Sequence, residues 1–277
     1  MVKVFPGTEN EFYLDGFHKD NLDLAKKVIK KDWDMLFVYD GYEGSGKSVK
    51  AMQDAFYCDP TLTIDSIVFN PEDFKKAVLN AEPFKAIVYD EAYGGLSSKG
   101  AMGKVNKSIV QMLTEIRRKN LFIFIVLPTF FDLDKYVALW RSRALIHIYT
   151  MDNFQRGFFR FYNTDRKKAL YVNGKKFYDY TMKMAKPNYK GRFTNYYPID
   201  EEEYRKKKDE TSVNVEDEFK VSFISKVREL KQTIVRNVDS GVAGLTGEQK
   251  AKVLEVTRRT ICTYLKENEI EVPYEAI

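Results

Sequence analysis

Residues 41–48 read Gly-Tyr-Glu-Gly-Ser-Gly-Lys-Ser and fit the glycine-rich pattern G-x-x-x-x-G-K-S/T. Glycines allow backbone N–H groups to converge on phosphate oxygens, and the helix that follows adds its positive N-terminus. In this pattern Lys47 would reach the terminal phosphates of a nucleotide, and Ser48 would coordinate Mg²⁺. An ordinary glycine turn is the alternative, but an apolar run before the loop and a helical pattern after it favour phosphate binding. The residues predicted to contact the nucleotide are Gly41, Glu43, Gly44, Ser45, Gly46, Lys47, Ser48 and Val49.

The acidic pair Asp90-Glu91 is the second feature that could do chemistry, and it directly follows the apolar run at 86–89. An acid at the carboxyl end of a buried strand would lie beside the phosphate loop. There Asp90 would hold Mg²⁺ through water, and Glu91 would polarise the attacking water. A single acidic residue at the end of a strand is common and is weak evidence for a metal site. The evidence here is the position of the pair, which lies downstream of the loop with one strand–helix unit between them.

Apolar runs that alternate with helical patterns supply the elements that must position these residues. Apolar runs that predict strands occupy 35–39, 66–69, 86–90, 121–127 and 144–149. Helical spacing of apolar residues occupies 21–31, 49–57, 71–80 and 105–118. Strands separated by helices predict right-handed crossovers, and therefore an α/β fold with a mainly parallel sheet and helices on both faces.

The loop and the acidic pair, together with an extra strand, resemble the RecA-like branch of P-loop NTPases that uses a catalytic glutamate, over about residues 33–150. The order of Asp90-Glu91, then Glu115-Ile-Arg-Arg-Lys-Asn120, then an apolar strand is similar to phage Zot-like ATPases and, more distantly, to FtsK- and HerA-type DNA motors. The resemblance implies ATP and Mg²⁺ as cofactors and a ring of identical subunits.

Two further site predictions come from this resemblance. In that branch the strand after the acidic pair ends in a polar sensor, and here Thr129 occupies the position; a plain loop threonine is the alternative. Such enzymes also use an arginine, often from a neighbouring subunit, to stabilise transition-state charge. Arg141 and Arg143 are the selected candidates, although each could equally be a surface or ion-paired arginine; Arg117 and Arg118 are further candidates.

The stretch 151–198 combines positive charge with aromatic side chains. It holds 11 basic and three acidic residues, a net charge of +8, and 13 aromatic residues. Basic groups interleaved with aromatics suit a polyanion whose bases can stack, and the positive field favours nucleic acid. A small β-meander with an aromatic core is the alternative. Turn residues at Asn163-Thr-Asp165 and Asn173-Gly174 predict short strands joined in a hairpin.

The last part of the chain is predicted to be helical. Residues 199–218 are dense in charge and are predicted to be a linker or a solvated helix. Residues 248–267 resemble the helix-turn-helix of resolvases and small regulators, in which the second helix enters the major groove. The residues that would contact DNA there are Arg258, Arg259, Thr260 and Thr263. A helical hairpin used for packing or self-association is the alternative.

Composition restricts the class of protein. Two cysteines and two histidines in 277 residues exclude a disulfide scaffold and a usual zinc site. The longest apolar run, 121–127, is far too short to span a membrane, and the first residues lack the layout of a signal peptide. We therefore expect a cytoplasmic protein without a membrane partner, located in the host cytoplasm if the chain is viral.

These features predict four segments: an ATPase core at 1–150, a basic β-rich extension at 151–198, a charged linker at 199–218 and a helical DNA-binding module at 219–277. The predicted function is a Mg²⁺-dependent ATPase, of viral or mobile-element origin, that translocates, packages or remodels double-stranded DNA. The alternatives are a nucleotide-switched DNA-binding protein with slow turnover and a small-molecule or nucleotide kinase. The kinase would need an acceptor site that the sequence does not display.

Overall fold

The computed structural model describes residues 1–92 and 104–211, and residues Met1–Thr211 form one compact unit. The strands are β1 (Val2–Val4), β2 (Phe12–Leu14), β3 (Met35–Gly41), β4 (Ile67–Val68), β5 (Ala86–Tyr89), β6 (Phe122–Val126), β7 (Ala144–Tyr149), β8 (Phe158–Tyr162) and β9 (Tyr189–Arg192). The α-helices are α1 (Gly16–Ile29), α2 (Lys47–Cys58), α3 (Pro71–Asn80), α4 (Lys104–Glu115) and α5 (Thr164–Gly174). The predicted DNA-contacting residues Arg258, Arg259, Thr260 and Thr263 lie outside the described residues.

The central sheet has the strand order β4-β5-β6-β3-β7-β8-β9. The first five of these strands pair in parallel, and β8 and β9 add antiparallel pairs at one edge. Strand β6 therefore lies between β3, which leads into the glycine-rich loop, and β5, which ends before Asp90. The prediction of an α/β fold with a mainly parallel sheet is confirmed.

Helices cover both faces of this sheet, as the continuous apolar strands require. Along β3, Phe37 and Tyr39 pack into one core with α1 and α2. Leu36 and Val38 point to the opposite face and pack into a second core with α3, α4 and α5. Among the described helices, none combines the length and apolar character needed to cross a bilayer.

Helix α3 begins at the residue that local sequence signals predict. The Asn70 side chain accepts a hydrogen bond from the Asp73 N–H at 2.8 Å, and Pro71 occupies the first turn. A capping amide, a proline at the first position and acidic residues in the first turn each favour a helix N-terminus. The helix ends at Asn80, so the predicted range 71–80 is confirmed.

The stretch 151–198 joins the main sheet. Strands β8 and β9 extend the sheet beyond β7, and α5 lies between them in the chain. The prediction of a hairpin at Asn173-Gly174 is wrong because residues 164–174 are helical. Asn163 caps this helix by accepting a hydrogen bond from the Arg166 N–H at 3.0 Å, so the Asn-Thr-Asp run starts a helix instead of making a turn.

The charge-dense segment predicted as a linker is helical over residues 201–211. Asp200 accepts a hydrogen bond from the Glu203 N–H at 2.8 Å, in the manner of a helix cap. Tyr204 is 5% exposed, and its ring packs against Phe69 and Tyr197. One face of residues 201–211 is therefore buried, so this part of the segment is neither a free linker nor a fully solvated helix; residues 212–218 lie outside the described residues.

Candidate active site

The glycine-rich loop joins the end of β3 to the start of α2, at the carboxyl edge of the parallel sheet. Gly41 has φ 140°, and a Cβ placed there would lie 2.1 Å from the carbonyl oxygen of Ile148 in β7. Gly46 precedes α2 with φ 98°, in the left-handed region that favours glycine. Glycine at these two positions is thus required by the close approach of β7 and by the backbone turn into α2.

Replacing Gly41 with alanine is expected to displace the loop from β7 and to weaken ATP binding by at least about tenfold, because both the positive φ and the Cβ clash must be relieved. ATP titration by calorimetry would measure this loss. The matched control is Gly7→Ala, because Gly7 also has positive φ (75°) but a Cβ there meets no atom within 4 Å. ATP affinity unchanged in Gly41→Ala would contradict the expected packing of the loop.

The loop brings Lys47 and Ser48 to the first turn of α2. Lys47 Nζ donates hydrogen bonds to the carbonyl oxygens of Gly41 and Tyr42, each at 2.9 Å. Burial lowers the pKa of Lys47, and the carboxylates of Asp40 and Asp90 oppose that effect. The Ser45 hydroxyl, 1% exposed, has no hydrogen-bond partner among the described residues. The loop therefore offers an ammonium group and a buried polar atom to an anion.

The acidic pair lies beside this loop, as the sequence predicts. Ser48 Oγ donates to Asp90 Oδ1 at 3.2 Å, and the Asp90 N–H donates to the carbonyl oxygen of Val68 at 2.9 Å. A serine hydroxyl and one carboxylate are the hard oxygen ligands that suit Mg²⁺, which usually retains several waters and takes further ligands from phosphates. Within the described residues, no cluster of three His, Cys, Asp or Glu side chains could hold a metal by itself.

Glu91 follows Asp90 in an unusual backbone conformation. Its φ is 56°, and its N–H donates to Asp90 Oδ1 at 3.0 Å. A non-glycine residue in the left-handed region is uncommon and concentrates at functional sites. The Glu91 carboxylate is 53% exposed and pairs with Lys208 Nζ at 2.8 Å. The geometry thus presents a solvent-accessible carboxylate next to the residues that would hold the phosphates.

These residues line a cavity of about 920 Å³. The loop and the acidic pair contribute Glu43, Gly44, Ser45, Gly46, Lys47, Ser48, Val49, Asp90 and Glu91 to its lining. Residues after β7 also line it, and these are Arg156, Gly157, Phe193, Thr194, Asn195, Tyr197, Tyr204, Arg205, Lys208 and Asp209. No sequence motif predicts this second group. A signal was present in the i, i+4 spacing of Tyr204 and Lys208, which places both on one helical face.

Thr129 lies outside the lining of this cavity. Its hydroxyl is 2.9 Å from the hydroxyl of Tyr180, and Tyr180 in turn donates to the buried carboxylate of Asp40, the residue before Gly41. Asp40 also accepts hydrogen bonds from the Phe130 N–H at 2.8 Å and shares one with His147 Nδ1 at 2.9 Å. Thr129 is therefore linked to the phosphate loop through Tyr180 and Asp40, at the edge of a second cleft of about 710 Å³.

The structure does not bring Arg141 and Arg143 to the cavity. Arg141 is 7% exposed, and its guanidinium pairs with Asp34, which precedes β3 at the amino edge of the sheet. The guanidinium of Arg143 stacks on Trp33 at 4.6 Å, at the same edge. Neither guanidinium reaches the cavity of its own chain, and the buried guanidinium of Arg141 is held by Asp34; a role of Arg143 towards a neighbouring subunit stays a prediction.

No protein-family model matches this sequence, and no curated protein is detectably similar to it. Among solved structures, the chain is similar to the N-terminal domain of zonular occludens toxin from Neisseria meningitidis, with 16% identity, a TM-score of 0.34, and coverage of 47% of this chain and 84% of that chain. It is also similar to the genome packaging NTPase B204 from Sulfolobus turreted icosahedral virus 2 in complex with ATP-gammaS, with 17% identity, a TM-score of 0.35, and coverage of 48% and 94%. At these identities and TM-scores, what those proteins bind or do is not transferred to this chain.

Proposed function

We propose that this chain is a Mg²⁺-dependent ATPase that moves, packages or remodels double-stranded DNA. The observation that carries the proposal is the contact between Ser48 and Asp90, at 3.2 Å, with Lys47 and Glu91 next to them in one cavity. The interposed strand β6 further supports the catalytic-glutamate branch of P-loop NTPases, because that branch has an extra strand between the loop strand and the acidic strand.

Each residue has a defined part in hydrolysis. The loop N–H groups and Lys47 bind the phosphate chain and orient its terminal phosphorus. Ser48 and Asp90 would hold Mg²⁺, which when bound neutralises charge on the phosphates. Glu91 accepts a proton from a water molecule as the water oxygen forms its bond to the terminal phosphorus. The bond from that phosphorus to the bridging oxygen breaks, and ADP leaves with the electron pair.

Thr129 would act indirectly, without contacting the phosphates. Its hydroxyl contacts Tyr180, which contacts Asp40 next to Gly41, so a displacement of the loop would move this hydrogen-bonded chain. We propose this chain, and not direct contact with phosphate, as the sensor. Burial and the Asp40 carboxylate raise the pKa of Tyr180, so its hydroxyl keeps the proton that it donates.

The DNA part of the proposal is supported by charge and aromatic content. Residues 151–198 carry the net charge of +8, and Phe154 and Phe177 in this stretch are 86% and 70% exposed. Exposed aromatic rings among basic side chains can stack on bases while the cations contact phosphates. The predicted helix-turn-helix residues Arg258, Arg259, Thr260 and Thr263 would add sequence-dependent contacts, and a homo-oligomeric ring would enclose the DNA.

Steady-state ATP hydrolysis with and without duplex DNA tests this function. We expect DNA to raise the turnover at least several-fold, and we expect Lys47→Ala to abolish turnover in both conditions because the loop loses its phosphate-binding cation. Turnover that is slow and indifferent to DNA would favour the nucleotide-switched DNA-binding protein. Failure of the wild-type chain to bind or hydrolyse ATP would overturn the proposal altogether.

A further inference from the structure

A cation from outside the phosphate loop lies at the acidic end of the cavity. Lys208 Nζ is 2.8 Å from Glu91 Oε1, and both residues line the cavity with Lys47. Burial lowers the pKa of Lys47, and the positive charge of Lys208 adds to that lowering, so the two ammonium groups share one electrostatic environment. Lys208 thus contacts the water-activating carboxylate and lines the same cavity as the residue that reaches the terminal phosphates.

The helical segment 201–211 holds Lys208 in this place through the contacts of two residues that precede it. Tyr204, one turn earlier, donates from its hydroxyl to Asp90 Oδ2 at 2.5 Å. Burial and the Asp90 charge raise the pKa of Tyr204, so the hydroxyl keeps this proton. Lys207 Nζ donates to the carbonyl oxygens of Ile64 and Ile67, each at 2.8 Å. The segment is therefore hydrogen-bonded both to Asp90 of the acidic pair and to the backbone at the start of β4.

Lys208 is positively charged at neutral pH. Burial lowers the pKa of its ammonium group, but the charge of Asp90 and the hydrogen bond to Glu91 outweigh burial, so the pKa lies above its ordinary value. The other cations of the cavity wall are placed differently. Arg205 pairs with Glu201 on its own helix, and Arg156 lies near Gly44 in the loop. Of these three cations in the cavity lining, Lys208 is thus the one that contacts the acidic pair.

We propose that Lys208 is a catalytic residue that contacts the terminal phosphate of the nucleotide and stabilises the charge that develops there. This assignment rests on the proposed ATPase function and places a charge-stabilising cation within the same subunit as the phosphate loop. Lys208 transfers no proton. Its ammonium exchanges the Glu91 carboxylate for a phosphate oxygen, and the released carboxylate is then able to accept the proton of the attacking water.

Binding of ATP and ADP in a Glu91→Gln background tests the contact without depending on turnover. With Mg²⁺ present, adding Lys208→Gln is expected to weaken ATP binding by about tenfold or more, because a charge-assisted hydrogen bond to the terminal phosphate is lost. ADP affinity is expected to change by less than about twofold, since ADP lacks that phosphate. The matched control is Lys206→Gln, the same substitution at an exposed lysine two positions earlier.

Turnover of the single variants provides a second measurement. Lys208→Gln is expected to lower kcat by about 10²–10³-fold, as loss of one transition-state donor does, and Lys208→Arg is expected to retain more activity because it keeps the charge. Equal effects on ATP and ADP binding, or no effect on either, would overturn the assignment of Lys208 alone. Absence of ATP binding to the wild type and the Glu91→Gln parent would instead overturn the proposed function, and this assignment with it.

Discussion

Glu91→Gln is expected to reduce ATP turnover by about 10²–10⁴-fold while ATP remains bound, because the amide keeps the shape of the side chain but cannot accept a proton. The Glu91 side chain is 53% exposed, and the amide oxygen of glutamine can still accept a hydrogen bond from its partner Lys208. The positive φ of Glu91 is equally available to glutamine. Single-turnover hydrolysis and ATP titration on the same variant would separate the chemical step from binding.

A matched substitution distinguishes this effect from a general loss of acidic charge. Glu210→Gln makes the same change at an exposed residue two positions after Lys208, and its turnover is expected to stay within about twofold of the wild type. Turnover of Glu91→Gln that falls by less than about fivefold would show that another group activates the water. Loss of ATP binding in this variant would show that Glu91 holds the nucleotide instead.

Asp54→Ala is expected to lower the free energy of unfolding by about 3–5 kcal/mol, the largest stability effect that we predict. Asp54 lies on α2 and is fully buried, and it accepts hydrogen bonds from Lys50 Nζ at 2.5 Å and from the Tyr39 hydroxyl at 2.7 Å. His18 Nε2 is 2.7 Å from the same carboxylate. Removing the carboxylate leaves a buried ammonium group unpaired.

Urea denaturation of Asp54→Ala and of the wild type would measure this difference. The matched control is Asp73→Ala, which breaks an exposed pair with Lys76 at 3.3 Å. Exposed pairs contribute little, so the control is expected to change the free energy of unfolding by less than about 1 kcal/mol. An Asp54→Ala effect as small as that of the control would contradict the view that this network holds α1 and α2 to β3.

Part of the contribution of Asp54 to stability should be lost in acid. Burial raises the pKa of Asp54, but the positive charges and hydrogen bonds of His18 and Lys50 outweigh burial and lower the pKa from 3.8 to about 2. Between these values the unfolded chain binds more protons than the folded chain, so this stabilisation is complete above pH 3.8 and is lost as the pH falls through 2. The difference in the free energy of unfolding between Asp54→Ala and the wild type should therefore narrow as the pH falls towards 2.

The sequence by itself determined the phosphate loop, the acidic pair and the alternation of strands and helices. These features are local: the loop needs its glycines and Lys47 at fixed spacing, and each strand is a continuous apolar run. Parallel strands align their carboxyl ends, so a motif after β3 and one after β5 must meet at one edge of the sheet. For this reason sequence order places Ser48 and Asp90 at the same edge of the sheet, where the strand order β5-β6-β3 brings them into contact.

The tertiary structure decided which distant residues complete the site. Arg141 precedes β7, and the amino end of a parallel strand lies at the edge away from the loop, where Asp34 pairs with it. Asn173-Gly174 ends a helix because Asn163 caps its start and α5 packs against the sheet. Tyr204 and Lys208 reach the acidic pair because chain folding closes a separation of 114 residues between Asp90 and Tyr204. Composition and periodicity do not encode such long-range packing, since these patterns describe neighbours along the chain and not neighbours in space.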